Sequence, residues 1–269
     1  VTAERVAPGF ALAAVAGGVT AAATGRTPDS VLGKVKLLLT AFADDDELTL
    51  AELSRRTGLP KSTVFRLCQE LVAGGLLERW GAAYRLGLWL WEIGQQVPRQ
   101  RILREAALPF MEDLFVATKE TVHLAIRDGI EVLYVEKIMG HRAVESPSRV
   151  AGRLPLSCTA TGKAMLAYSS HHLLGQVVAA GLASYTPHSV ATPMALAAQL
   201  ERVRRDGVAV EIEETRVGHA SLAAPVLGAR RTVVAALSIT LPTARLSVPR
   251  LSVPLRNAAM GLSKRLARG

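Results

Sequence analysis

Residues 49–75 constrain the fold more tightly than any other stretch of the chain. Thr49-Leu50-Ala51-Glu52 matches the capping-box pattern, in which the Thr hydroxyl takes the amide three residues on and the Glu reaches back to the cap amide. The helix it opens is short, because Gly58-Leu59-Pro60 breaks it. A second helix, Lys61 to Ala73, carries Val64, Leu67, Cys68 and Leu71 at i, i+3, i+4 and i+7, and Gly74-Gly75 stops it. Helices this short need a third element to bury such a stripe. Asp29-Ser30 caps one just upstream, where Val31, Leu32, Val35, Leu38, Leu39 and Phe42 recur at spacings of three and four. Downstream, Leu76 to Trp80 and Tyr84 to Leu86 read as two strands around Gly81-Ala82-Ala83. Three helices and a hairpin, with a glycine-containing break before the third helix, describe a winged helix-turn-helix over residues 29–87.

With its stripe buried, the third helix turns Ser62, Arg66 and Gln69 outward, flanked by Lys61, Thr63 and Phe65. Arg can bond guanine O6 and N7 with both prongs, Gln can do the same with adenine, and a Phe ring or Thr methyl can meet the thymine methyl. Lys61, Ser62 and Thr63 at the helix start suit phosphate. Arg55 at the end of the second helix and Arg79 and Arg85 beside the hairpin tip are further phosphate candidates. The expected partner is double-stranded DNA. Bulk charge does not carry this reading: the whole chain is +9, but Arg outnumbers Lys 25 to 7 and is spread throughout. Between Ser30 and Trp91 eight basic residues face seven acidic ones, so the pattern matters and the total does not.

The remaining chain divides by its periodicity. Residues 1–28 read as a disordered tail; the apolar run Phe10 to Ala23 is too short to span a bilayer, and Glu4 and Gly17-Gly18 argue against a signal peptide. Residues 88–105 read as a linker, a helix leading through Val97-Pro98 into Arg99, Arg101 and Arg104. From Ala106 to residue 269 the pattern is α+β: a helix, a hairpin turning at Asp128-Gly129, three helices, strands near Val208, Ser221 and Val233, and a last helix around Leu255 to Leu266. The two cysteines, Cys68 and Cys158, fall in different domains and make neither a disulfide nor a zinc cluster, which fits a cytoplasmic protein.

Leu50 through Val64 closely resembles the helix-turn-helix of the IclR family of bacterial transcriptional regulators, and Tyr84-Arg85-Leu86-Gly87 resembles its wing. The likeness continues through Glu120-Thr121-Val122-His123-Leu124-Ala125, Gly152-Arg153-Leu154-Pro155-Leu156, Thr159 to Ala164, and Gly218 to Val226. The resemblance implies an α+β chain with an N-terminal winged helix-turn-helix and a C-terminal GAF-like effector-binding domain, assembled as a homodimer or tetramer. Carried over by position, the effector pocket would comprise Ala160 and Thr161 before the Gly-Lys helix, Glu211, His219 and Ser221, and Ser238 and Thr240, with Leu154, Ser146 and Ala143 on the apolar side. Ser238 and Thr240 are two apart and so share a strand face. Ser221 stands where the family usually has cysteine, Glu211 where aspartate is frequent, and His219 where an apolar residue often sits; this implies a more polar pocket. Whether His219 faces that pocket or solvent stays open at this point, and Phe65 stands where a histidine is common.

Other chemistries fit poorly. Gly162-Lys163-Ala164 lacks the Gly and the Ser/Thr of a phosphate loop, adjacent His171-His172 project differently, and Ser221 has no nucleophile elbow. His123 alternates with Thr121 and Ala125 and reads as structural. The expectation is therefore a ligand-responsive transcriptional regulator, most readily a repressor of a metabolic operon, with no catalytic residues, metal or cofactor and no membrane partner. The alternative is a small-molecule-binding protein or enzyme whose helix-turn-helix serves protein contacts only.

Overall fold

The structure, a computed structural model, describes residues 28–140 and 148–268; the expected tail lies outside these residues apart from Pro28. The chain forms two compact units, the first ending at Gln95 and the second beginning at Gln96.

In the first unit α1 (Val31–Thr40) is capped by Ser30, whose side chain accepts from the Gly33 amide. Both halves of the capping box are present at the start of α2 (Leu50–Thr57): Glu52 Oε2 accepts from the Thr49 amide at 2.8 Å, and Thr49 Oγ1 accepts from the Glu52 amide at 3.3 Å. Gly58 closes α2 at φ 68°, a conformation open to glycine at little cost. Then comes α3 (Lys61–Ala73), with Val64, Leu67, Cys68 and Leu71 all buried. They pack with Leu38, Phe42, Leu53 and Tyr84 into one core, where each fully buried Leu contributes roughly 1.5–3 kcal/mol. The hairpin is β2 (Leu77–Trp80) and β3 (Ala83–Leu86), and a two-residue β1 (Leu48–Thr49) joins it to give the order β1-β3-β2. Where the chain leaves the hairpin, a Cβ on Gly87 would stand 2.0 Å from the Gly75 carbonyl oxygen, so only glycine allows that approach. The unit ends with α4 (Leu88–Gln95).

The second unit begins with α5 (Pro98–Thr118), one helix that runs through the boundary expected between 105 and 106. Pro98 sits in the first turn, where its missing N–H is no loss, so the proline read as part of a linker starts the helix instead. Among the described residues six antiparallel strands follow: β4 (Thr121–Asp128), β5 (Glu131–Ile138), β6 (Arg153–Pro155), β7 (Ala209–Ile212), β8 (His219–Leu227) and β9 (Val233–Pro242), in the order β6-β5-β4-β9-β8-β7. Between β6 and β7 lie α6 (Ala160–Ala167), α7 (His171–Ala179) and α8 (Pro193–Asp206). The chain closes with α9 (Val248–Leu266), which starts earlier than the apolar pattern shows and holds Pro254 inside it.

Strand alternation divides the sheet into two faces. Val122, Leu124, Leu222, Leu237 and Ile239 pack with Met111, Leu114, Leu255 and Leu262, which places α5 and α9 on one side. Ala125, Tyr134, Ala223 and Ala236 pack with Ala164, Met165, Leu173 and Leu200, which places α6, α7 and α8 on the other. Among these small residues on the second face, polar side chains gather.

Candidate nucleic-acid face and ligand cavity

The burial of one side of α3 determines what the other side offers. Lys61, Ser62, Phe65, Arg66 and Gln69 are exposed and Thr63 is half-buried; the Phe65 ring, an apolar group of that size, is 42% exposed. Arg55 and Arg79 are exposed as well. Arg85 is differently placed: its guanidinium pairs with Glu47 and lies 4.0 Å from the centre of the Trp80 ring, so it braces the hairpin against the acidic loop. Arg56, beside Arg55, is likewise engaged with Asp45 and the Ala41 carbonyl.

In the second unit a small cavity lies over the polar part of the sheet. Its floor is a row across three strands, Glu211 opposite Ser221 and Ser221 opposite Thr240, with Ser238 two residues further along β9 on the same face. The hydroxyls of Ser221 and Thr240 are 2.9 Å apart. The start of α6 brings in Thr159, Ala160 and Thr161, and Tyr134, Ser148, Leu154 and Thr215 complete the lining. Thr159 caps α6 by accepting from the Gly162 amide, while the amides of Ala160 and Thr161, in the first turn, have no intrahelical carbonyl to meet. The helix fits tightly: a Cβ on Gly162 would stand 2.3 Å from the Leu156 carbonyl oxygen.

Among the described residues Glu211 is the only carboxylate in the lining, and it is 1% exposed. Its Oε1 accepts from the amides of Glu214 at 2.6 Å and Thr215 at 3.1 Å. Burial pushes its pKa up to about 7; those two amide bonds and Lys163 pull it down, and the neighbouring Glu214 pushes it up. Lys163 does not reach the ligand space, being fully buried and paired with Glu214. The Tyr134 hydroxyl, 3.4 Å from Thr161 Oγ1, is held well above its ordinary pKa by burial. An anion would find helix amides here, and a hydrogen-bond donor would find Glu211 and the hydroxyls.

Of the expected pocket residues, Leu154, Ala160, Thr161, Glu211, Ser221, Ser238 and Thr240 come together around this cavity. His219 does not line it; the residue is 8% exposed, with Nδ1 3.2 Å from the Val217 carbonyl oxygen and Nε2 buried without a partner among the described residues. Ala143 and Ser146 lie outside the described residues. Tyr134, Ser148, Thr159 and Thr215 were missed, although Thr159 announces itself as a cap immediately before the helix that opens at Ala160. Among the described residues no group of three or more His, Cys, Asp or Glu could hold a metal, and no helix is long and apolar enough to cross a membrane.

Two family models match the chain: the IclR helix-turn-helix domain over residues 32–80 and the bacterial transcriptional regulator IclR C-terminal domain over residues 95–264. The HTH-type transcriptional regulator KdgR of Dickeya chrysanthemi is 32% identical over 227 residues, covering 82% of this chain and 74% of that protein. The HTH-type transcriptional regulator XynR of Escherichia coli is 33% identical, covering 82% of this chain and 90% of that protein. Among solved structures, an IclR homologue from Microbacterium hydrocarbonoxydans in complex with 4-hydroxybenzoate is 32% identical, with a TM-score of 0.83 over 89% of this chain and all of that one.

Proposed function

The chain belongs to the IclR family of bacterial transcriptional regulators, and from that premise we propose that a small organic acid held in the C-terminal cavity sets how tightly its helix-turn-helix grips an operator. One observation carries the reading: a single chain combines an exposed face of Lys, Ser, Phe, Arg and Gln side chains on α3 with a polar cavity in a separate unit. Residues 29–95 would bind DNA and residues 96–269 would bind the effector.

On the DNA side, α3 enters the major groove with Arg66, Gln69 and Phe65 on base edges and Lys61, Ser62 and Thr63 near phosphate. Arg55 and Arg79 contact the backbone; Arg85 reaches it only by releasing Glu47. On the effector side, the carboxylate takes the Ala160 and Thr161 amides, and a hydroxyl or other donor takes Glu211, Ser221, Ser238 or Thr240. The 4-hydroxybenzoate held by the Microbacterium protein has both ends of this description. The effector must bind the DNA-competent and incompetent arrangements with different affinity, since only that difference shifts the balance. The protein acts in the cytoplasm as a homodimer or a tetramer, and it represses a metabolic operon.

Fluorescence anisotropy tests this directly, with duplex from upstream of the protein's own gene against a random duplex across a salt series. Preferential binding that survives moderate salt and changes with 4-hydroxybenzoate is the expected result. Ligand binding or turnover by a folded protein with no DNA affinity at low salt would favour a small-molecule-binding protein or enzyme instead.

A further inference from the structure

Ser148 lines the cavity and is held from two directions: its Oγ lies 2.7 Å from His123 Nε2, and its carbonyl accepts from Lys137 Nζ at 2.9 Å. Lys137 stands opposite His123, on the cavity side of the sheet. Its chain neighbour Glu136 stands opposite Leu124, on the side covered by α5 and α9. The Glu136 carboxylate joins the two sides. Its Oε1 accepts from the Lys137 amide at 3.0 Å, and its Oε2 accepts from Arg104 of α5 through Nε at 3.0 Å and Nη2 at 2.6 Å. The β4–β5 register shifts between Leu124 and Ala125, which skips Val135 and leaves a bulge next to Glu136. A bulge interrupts the ladder, so β5 can give at this point at less cost than elsewhere.

We infer that the hydrogen-bonded run Ser148, Lys137, Glu136, Arg104 carries the state of the cavity to α5, which makes Glu136 and Arg104 positioning residues for effector control of DNA binding. The inference rests on the effector reading above. A ligand that displaces Ser148 must break its bond to Lys137 or take Lys137 with it. Movement of the Lys137 backbone moves the Glu136 carboxylate bonded to it, and Arg104 follows on the far side of the sheet. His123 fixes the resting position: its ring is 1% exposed and sits edge-on to Tyr134 with centroids 5.3 Å apart. Arg104 lies near the start of α5, the helix that opens the second unit directly after the DNA-binding unit ends.

Hydrogen exchange on the full chain tests the run without needing a ligand or DNA. Lys137→Met removes the cavity-side bond, and Glu136→Gln weakens the link to Arg104. Each should speed exchange of amides 101–106 in α5 by about threefold or more, and the double variant should be no faster than Glu136→Gln alone. Tyr134→Phe, which removes a hydroxyl from the same cavity but no bond of the run, should leave α5 unchanged. Acceleration confined to 121–138 and 148–155, additive effects in the double variant, or an equal response to Tyr134→Phe would overturn the inference. A second readout uses 4-hydroxybenzoate and the upstream duplex: Glu136→Gln should bind the acid as the wild type does while the acid no longer changes DNA affinity, and an intact response would also overturn it. Failure of the acid to bind wild-type protein would count against the effector class alone, because the exchange experiment still decides the run.

Discussion

Lys163 and Glu214, 51 residues apart in the chain, close an ion pair in the core of the C-terminal unit, with 1% and 6% of their side chains exposed. Glu214 Oε2 also accepts from the Val190 amide, so the pair ties α6 to the segments before α8 and after β7. Removing one partner strands the other charge away from water, which costs about 3–5 kcal/mol; replacing both with neutral groups costs much less. Lys163→Met should therefore lower the unfolding midpoint in urea sharply, and adding Glu214→Gln should recover most of the loss. Equal destabilisation by the single and double variants would mean that packing around α6, not charge, is what the pair supplies.

Glu211 gives the cavity a pH dependence whose sign can be worked out. Its folded pKa of about 7 lies above the ordinary value of 4.5, so the folded state holds the proton more tightly than the unfolded chain does. The resulting stabilisation is complete below about pH 4.5 and is lost as pH rises through 7. Glu211→Gln keeps an oxygen for the Glu214 and Thr215 amides and removes the titration. It should raise stability over the wild type by about 1–3 kcal/mol at pH 8 and by little at pH 5. Melts at the two pH values check this, and a constant gap between the proteins would show that the carboxyl is ionised throughout.

The start of α6 admits no side chain at Gly162, where a Cβ would meet the Leu156 carbonyl oxygen at 2.3 Å and its Cα at 2.5 Å. Backbone cannot swing aside as a long side chain can, so Gly162→Ala must push α6 away from the loop before it. The displaced amides of Ala160 and Thr161 belong to the cavity. The expected outcome is a loss of at least about 1–3 kcal/mol of stability together with lost binding of 4-hydroxybenzoate, and DNA affinity without ligand should stay measurable. Unaltered ligand titration would remove the α6 amides from the binding site.

The two α3 cations should fail in different ways when removed. If Lys61, exposed at the helix start, contacts a phosphate as proposed, Lys61→Ala should weaken all duplexes alike and reduce the salt slope by about one. If Arg66, five residues further on, reads a base edge as proposed, Arg66→Ala should cost about 1–3 kcal/mol on the operator and little on random duplex. Anisotropy on both duplexes separates the two, and unchanged sequence preference after Arg66→Ala would take it out of base readout.

How legible these features were in the sequence depended on how local their causes are. The first unit was readable almost to the residue, because a capping box, a glycine break and an i, i+3, i+4, i+7 stripe each act within one or two turns. β1 was missed, since two residues, Leu48 and Thr49, carry no periodicity and become a strand only by pairing with β3. α5 was placed too far downstream because Pro98 and its neighbouring arginines look like linker, while the burial of Leu103 that fixes the helix comes from the distant core. In the cavity, the strand hydroxyls could be found by their spacing. Tyr134, Ser148 and Thr215 reach it through sheet register and loop closure, which no local pattern encodes. His219 shows the limit from the other side: it shares a strand with Ser221 at the right spacing, yet its ring turns to the Val217 carbonyl and stays out of the lining.

α4 leaves an apolar surface whose use can be tested. It has no buried residue, and Leu88, Trp89, Trp91 and Ile93 are 62%, 44%, 62% and 48% exposed. Trp89 and Ile93 are four apart and Leu88 and Trp91 three apart, so two pairs of large side chains face water along an eight-residue helix. Large apolar side chains left exposed in this way can serve a protein contact, and a two-fold contact between two copies would use the same residues twice. Each side chain buried in such a contact contributes roughly 1.5–3 kcal/mol, so charges in place of two of them should be enough to open it. Trp91→Glu with Ile93→Lys should halve the mass of the assembly in sedimentation, from a multiple of the 28.6 kDa chain, while thermal unfolding of each unit stays as it was. Operator affinity should fall with it, because two half-sites held by one dimer lose their linkage when the dimer parts. An assembly of unchanged mass would place the contact on the second unit and leave the α4 tryptophans without a partner in this role.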